Sequence, residues 1–396
     1  MTKKLSIVIL ITGLICCGCT ILHKAIPDKL LEQSLISKTA NAHRENEATV
    51  WRETISNRDF IIDIDSAVDT PTDQNLPAAK ASLKRFTLEN YSSVFKNILR
   101  FNGQLDTQSY ALNQLTGDQT KGEFEIESVL PDGERAILFG MEESSECAFS
   151  VQNIIQTEDI VLSGDAIMGE PAGTQIGEIS MEKDDATELL QGFLRDNGIT
   201  DMDISSVVPA REVSISSEMP IIISRGYYIT FTKKIGSLNT PAHWRYYIHR
   251  ENEKIAHLAQ VPVEQICFYI ANQEIRVLLW NNATEPVDII NNNIETIPFS
   301  DVRKQAVGYL EARYSSHGDF LRESNQRLII TVSDVKLGIC HIGTKEDLST
   351  VYYVPAWYVF YTETYYMAGE IASVLDDYLV ICAVDGTQLE PRISRG

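Results

Sequence analysis

The chain has 396 residues, enough for two or three domains. Its 44% hydrophobic and 22% charged residues are the balance of a globular rather than a disordered protein. The formal net charge of −21 excludes nucleic-acid binding, which needs clustered Lys and Arg, and a protein that lies flat on an anionic leaflet.

The first element is the opening MTKKLSIVILITGLICCGCT, in which Lys3 and Lys4 precede an apolar run from Leu5 to Cys17. A basic region followed by a short apolar core is a secretory signal, shorter than a typical spanning helix. Gly18 before Cys19 resembles the lipobox of bacterial lipoproteins, with Cys16 and Cys17 where a leucine and a small or aliphatic residue are usual. That resemblance implies removal of residues 1–18, a diacylglycerol thioether on Cys19, and a palmitate-bearing lipid anchor at the outer face of the cytoplasmic membrane. Cys17 is a second candidate, and an uncleaved membrane anchor is the alternative. Lys3 and Lys4 are the only charges in the signal, so the mature form carries −23.

Residues 19–47 read as a tether or short helix with apolar spacing at Leu22, Ile26, Leu30 and Leu31. From Val50 the period changes to two, predicting strands over 50–55 and 60–65 joined by Ser56-Asn57-Arg58. Pro71 and Pro77 then break the ladder. A first helix begins after the N-cap Thr87 and places Leu88, Tyr91, Val94, Phe95, Ile98 and Leu99 on one face. Strands are expected over 123–129 and 135–141 around Pro131-Asp132-Gly133, and over 147–152.

A second helix follows Ser180, packs through Ala186, Leu189, Leu190, Phe193 and Leu194, and stops at Asn197-Gly198. Strands are then expected over 221–235, 244–249, 266–271 and 275–280. A third helix follows Pro298, with Asp301 early, Arg313 late, and Val302, Ala306, Leu310 and Tyr314 inward. Strands over 328–331, 336–342, 352–361 and 378–384 complete the chain. Helix followed by meander predicts an α+β fold of repeated helix-plus-antiparallel-meander units, each helix packed on one sheet face. The units are an N-terminal α+β domain over 48–180, a second unit over 181–296 and a C-terminal unit over 297–396.

Few residues carry catalytic chemistry. The histidines form no HExxH or HxH, and His243 and His249, on one face of a strand, would stand roughly 20 Å apart. Asp63 and Asp65 alternate like the wet face of a strand. Asp201 and Asp203 make a better calcium loop but lack the bidentate Glu. Ser93 with Lys96, Ser180 with Lys183 and Ser333 with Lys336 match the SxxK pattern of serine acylases without the accompanying KTG. No motif for a nucleotide, metal or other cofactor is present. After the signal, Cys147, Cys267, Cys340 and Cys382 lie far apart without CxxC spacing. Cys267, Cys340 and Cys382 sit in apolar runs and read as small buried hydrophobes, with one bridge, such as Cys340–Cys382, left open.

Between Tyr352 and Tyr366, eight of fifteen residues are aromatic against 8% overall. As a strand this segment is apolar on both faces, so one face packs under the third helix and the other needs a second cover. Trp357 and Tyr361 are therefore the candidates for a domain seam or the floor of a binding groove.

Asp59-Phe-Ile-Ile-Asp-Ile-Asp-Ser-Ala-Val, Tyr353-Val-Pro-Ala-Trp-Tyr and Leu379-Val-Ile-Cys-Ala-Val-Asp-Gly-Thr resemble an uncharacterised family of bacterial cell-envelope lipoproteins. There is a more distant likeness to PepSY-like domains and YycH/YycI-type regulators, which pair a helix with a curved meander. Cys382 and the Ala271-Asn-Gln-Glu segment depart from that pattern. The resemblance implies location and fold, with regulation of an envelope sensor kinase as a fold-level analogy. The expected function is a non-enzymatic binding or regulatory module with a protein or peptide partner. The alternative is an envelope hydrolase or peptidase-like enzyme.

Overall fold

The computed structural model describes residues 35–36, 50–70, 76–104, 110–113, 123–130, 135–141, 144, 146–151, 154–157, 161–163, 166–169, 176–214, 221–241, 250–251, 254–255, 264–315, 318–343 and 349–389. Cys19, the signal segment, and His243 and His249 with their strand lie outside these residues.

In chain order the strands are β1 (Val50–Ser56), β2 (Phe60–Asp69) and β3 (Ala78–Ser82), followed by helix α1 (Leu88–Phe101). Seven strands come next: β4 (Tyr110–Asn113), β5 (Glu123–Val129), β6 (Arg135–Met141), β7 (Cys147–Val151), β8 (Ile154–Thr157), β9 (Val161–Ser163) and β10 (Ala166–Gly169). Helix α2 (Lys183–Asp196) precedes β11 (Met202–Ser214), β12 (Ile221–Ile235), β13 (Leu238–Asn239), β14 (Arg250–Glu251), β15 (Lys254–Ile255), β16 (Gln265–Ala271), β17 (Glu274–Asn281) and β18 (Asp288–Asn291). Helices α3 (Phe299–Ser315) and α4 (Gly318–Glu323) lead into β19 (Gln326–Gly343), β20 (Thr350–Met367), β21 (Glu370–Cys382) and β22 (Gln388–Leu389).

This corrects the expected fold class. Among the described residues, twenty-two strands stand against four helices, and two large sheets replace the helix-plus-meander repeats. The three long helices form where their caps and periodicity place them. Thr87 caps α1 reciprocally with Asn90, and α2 ends at Asn197 with Gly198 at φ +75°. What fails is the pairing of one helix with one local meander. Both α1 and α2 bury their apolar faces in one cluster, with Phe95 against Phe149 and Phe193 against Phe268. That cluster belongs to a twelve-stranded sheet whose main path runs β10-β9-β8-β11-β12-β16-β17-β7-β6-β5-β4.

The second sheet has eight strands, with main path β1-β2-β19-β20-β21-β22 and β3 paired to both β18 and β20. Its N-terminal strands join the C-terminal ones across most of the sequence. β2 runs parallel to β19, from Phe60 opposite Leu328 to Asp69 opposite Lys336. The reason is the alternation of β2, which buries Phe60, Ile62, Ile64 and Val68 and exposes Asp63 and Asp65. Its apolar face needs a cover that α1, committed to the other sheet, does not supply. Helix α3 does, with Tyr314 6.0 Å from Phe60 and Phe299 6.1 Å from Trp51. Leu35, from the segment read as tether, is buried in this core, and its carbonyl accepts from Asn291 Nδ2 at 2.8 Å.

The aromatic segment is β20, the centre of the eight-stranded sheet and buried on both faces. Trp357 and Tyr361 point to α3, as one face was expected to do. Trp357 stacks at 4.7 Å on Phe299, and Tyr361 accepts from Arg313 at 2.8 Å. They are core residues at 2% and 1% exposure rather than the floor of a groove. Truncation of a buried tryptophan in such a core costs about 3–5 kcal/mol. Trp357→Ala is therefore expected to lose that much in denaturant unfolding, while Trp357→Phe removes fluorescence that iodide quenches poorly in the wild type. Strong quenching of that fluorescence with an unchanged unfolding midpoint is the contrary result.

Candidate functional site

The two sheets meet along β19, and polar chemistry gathers there in two places. The deeper one begins with Lys233, near the end of β12. Its side chain is 2% exposed, with Nζ 2.7 Å from Asp201 and 3.1 Å from Glu264. Burial opposes the charged ammonium, but Glu264 and Asp201 outweigh it and raise its pKa. Glu264, which immediately precedes β16, is saturated with donors. It accepts from Thr284 N at 3.1 Å, Thr284 Oγ1 at 2.6 Å, Trp280 Nε1 at 3.3 Å and Tyr353 OH at 3.2 Å. Tyr353 belongs to β20, so this carboxylate binds both sheets together.

His341 of β19 completes the cluster, its ring 5.6 Å from that of Tyr353. It is 1% exposed, and its Nδ1 has no hydrogen-bond partner among the described residues. Burial and then the charge of Lys233 lower its pKa to about 4. At neutral pH the imidazole is therefore uncharged in a seam that already holds one cation.

The second place is open to solvent. A cleft of about 330 Å³ is lined by Asp69 at the end of β2, Ser205 of β11, Asn239 and Pro241 around β13, and Ser333, Asp334, Lys336, Leu337 and Phe360 of β19 and β20. Two register irregularities shape it. The β11–β12 ladder slips between Ile204 and Ser206, and the β19–β20 ladder between Val332 and Asp334. Ser205 and Ser333 are the residues left over, and bulges of this kind turn side chains out of the ladder beside functional sites. The close packing of β13 on β19 forms one wall. A Cβ added at Gly338 would lie 2.6 Å from Pro241 Cδ and 2.7 Å from Asn239 O, so only glycine allows that approach.

Within the cleft, Lys336 Nζ is 2.6 Å from Asp334 Oδ2 and 5.9 Å from the centroid of the Phe360 ring. Phe360 also packs against Tyr358 and Tyr378 at about 6 Å. Tyr358 and Phe360 belong to the second apolar face of β20 that the sequence required to be covered, and Tyr378 of β21 lies beside them.

Other singled-out residues have structural partners. Ser333 donates to Phe360 O at 3.5 Å while Lys336 engages Asp334, so this SxxK pair has its groups turned to different neighbours. Asp63 accepts from Thr54, and Asp65 pairs with Arg52. Asp201 and Asp203 pair with Lys233 and Lys234. Among the described residues, no three His, Cys, Asp or Glu side chains converge on a metal position, and no helix is long and apolar enough to cross a membrane. Cys340 and Cys382 are buried free thiols, each raised to about 12 by desolvation first.

The chain matches no known protein-family profile and no curated protein. It is similar in structure to an uncharacterised protein from Eubacterium rectale ATCC 33656, with a TM-score of 0.51 and 12% identity over 92% of this chain and 99% of that one. At this identity the likeness shows a shared fold along almost the full length of both chains.

His341 gives the seam a defined acid response. Its pKa is lowered on folding, so no stability is lost above the unfolded value near 6.5. Below it the unfolded chain takes up a proton that the folded one refuses, and stability falls until pH reaches about 4. The loss is on the order of 3 kcal/mol. Denaturant unfolding from pH 7 to 4 is expected to show this decline in the wild type and a shallower one in His341→Gln. Equal slopes would place the acid response elsewhere.

Proposed function

We propose that the chain is an extracytoplasmic lipoprotein, anchored through Cys19, that works as a non-enzymatic binding or regulatory module with its ligand in the cleft between the sheets. The observation that carries the reading is the cleft itself, a solvent-open space of about 330 Å³ lined by charged and hydroxyl groups where two rigid sheets meet. Its volume is at the lower end of small-molecule sites, and its walls are strands rather than loops. Groups with strongly displaced ionisation, such as His341 and Tyr353, are fully buried in the seam instead of facing the cleft. A catalytic site would place such groups against the substrate.

The sequence supports the address. A basic start, an apolar core and Gly18-Cys19 suit export and lipidation. With a charge of −23 once the signal with Lys3 and Lys4 is removed from the −21 chain, the mature form is suited to standing off an anionic bilayer on a lipid tether. Metabolic labelling with radioactive palmitate tests the anchor. The wild type is expected to take up label and fractionate with membranes, and Cys19→Ser to do neither. Label retained by Cys19→Ser, or an unlabelled soluble wild type, would end this reading.

A further inference from the structure

We infer that the cleft recognises an organic cation, a guanidinium or ammonium group, and that Lys336 is a built-in occupant that such a ligand displaces. The inference rests on the binding reading above and names the ligand class of that same cleft.

The cleft already holds a cation of the chain's own. The ammonium of Lys336 lies within hydrogen-bonding reach of Asp334 and under 6 Å from the face of Phe360. A carboxylate beside an aromatic face is the pairing that holds cations by charge and by the ring quadrupole together. The chain's own side chain shows that the pairing accepts a cation. A second carboxylate, Asp69, is the parallel register partner of Lys336 and lines the same cleft. It is exposed and has no ion-pair or hydrogen-bond partner among the described residues. The cleft thus holds two carboxylates and one ammonium, leaving it one positive charge short.

Lys336 is suited to be moved. Its side chain is 41% exposed and that of Asp334 34%, so the pair is weakly held, as exposed ion pairs are. Four rotatable bonds let the ammonium swing into water at little cost. A planar guanidinium entering from solvent can stack on Phe360 and reach both Asp334 and Asp69, an engagement that a point charge makes less fully. Ser205, Ser333 and Asn239 line the remaining space with groups able to bind the ligand's polar body. The volume of about 330 Å³ matches one amino-acid-sized cation and is too small for a folded partner.

Two sources share this chemistry, a free small cation and an arginine within a peptide. Calorimetric titration of the wild-type chain with L-argininamide, with the neutral isostere L-citrullinamide and with Gly-Arg-Gly separates them. Argininamide or the tripeptide is expected to bind and citrullinamide to bind at least tenfold more weakly, with the tighter of the two cations identifying the source. Lys336→Met, which keeps the stem and removes the competitor, is expected to tighten binding of the cation about fivefold. Asp334→Asn is expected to weaken it, and added salt to weaken it in both backgrounds. Unchanged or weaker binding to Lys336→Met would overturn the displacement. Equal binding of argininamide and citrullinamide would overturn the cation assignment and leave the cleft a binding site. No binding of any of the three to either protein overturns the inference, while palmitate labelling still decides the tethered address on its own.

Discussion

An ammonium taken out of water has to find its charge partners inside the protein, and Lys233 finds them on separate elements. Asp201 leads into β11 and Glu264 into β16, and Glu264 is hydrogen-bonded in turn by Tyr353 of β20. Removing one partner of such a buried pair typically costs 3–5 kcal/mol, because the remaining charge is left uncompensated. The network therefore tolerates one alignment of the two sheets. That alignment sets where β13 crosses β19 at Gly338, and so where the cleft opens. Hydrophobic burial supplies most of the cohesion of each sheet, but it is non-directional. The directional contacts at the seam select one docking among the many that would bury similar area.

The local content of the sequence was legible and its long-range pairing was not. Thr87, Asn197-Gly198 and the apolar spacing of α1, α2 and α3 located those helices, because caps and a 3.6-residue period act over a few neighbours. The alternation of β2 identified a strand with one wet face. Nothing in that alternation states that the strand's partner lies at 326–343, since any strand with a free edge and a matching apolar face satisfies the same local rule. The expectation of helix-plus-meander units came from pairing each strand with its chain neighbours. That holds for β1 with β2 and for β5, β6 and β7, and fails for the other edge of β2, which pairs with β19, and for β3, which pairs with β18 and β20.

The candidate site was obscured for a related reason. Trp357 and Tyr361 drew attention by their density of aromatic neighbours, and burial on both faces of β20 was a correct inference from composition. The choice of face was open in the sequence. Helix α3 took the Trp357 face, leaving Phe360, two aromatic positions away, to line the cleft. The bulges at Ser205 and Ser333 are not readable from the sequence, because a bulge is defined by the partner strand it fails to match. The one visible trace was the Ser333 and Lys336 spacing, which suggested a nucleophile and its activator. The structure separates them by turning Lys336 to Asp334 and Phe360.

The two polar places along β19 show how one sheet junction carries opposite electrostatic tasks. In the seam, Lys233 and Glu264 are both withdrawn from water while Asp201 reaches solvent, so the Lys233–Glu264 interaction is strong and the arrangement is static. In the cleft, Lys336 meets Asp334 and lies beside a ring in a partly solvated space, so the same kind of contact is weak and exchangeable. Ion pairs become structural or replaceable according to their desolvation, and burial here changes sharply between His341 and Lys336 on a single strand. A fixed buried pair keeps the walls in register while the exposed pair exchanges with solvent. That division lets a rigid β scaffold present a responsive surface without any strand having to move.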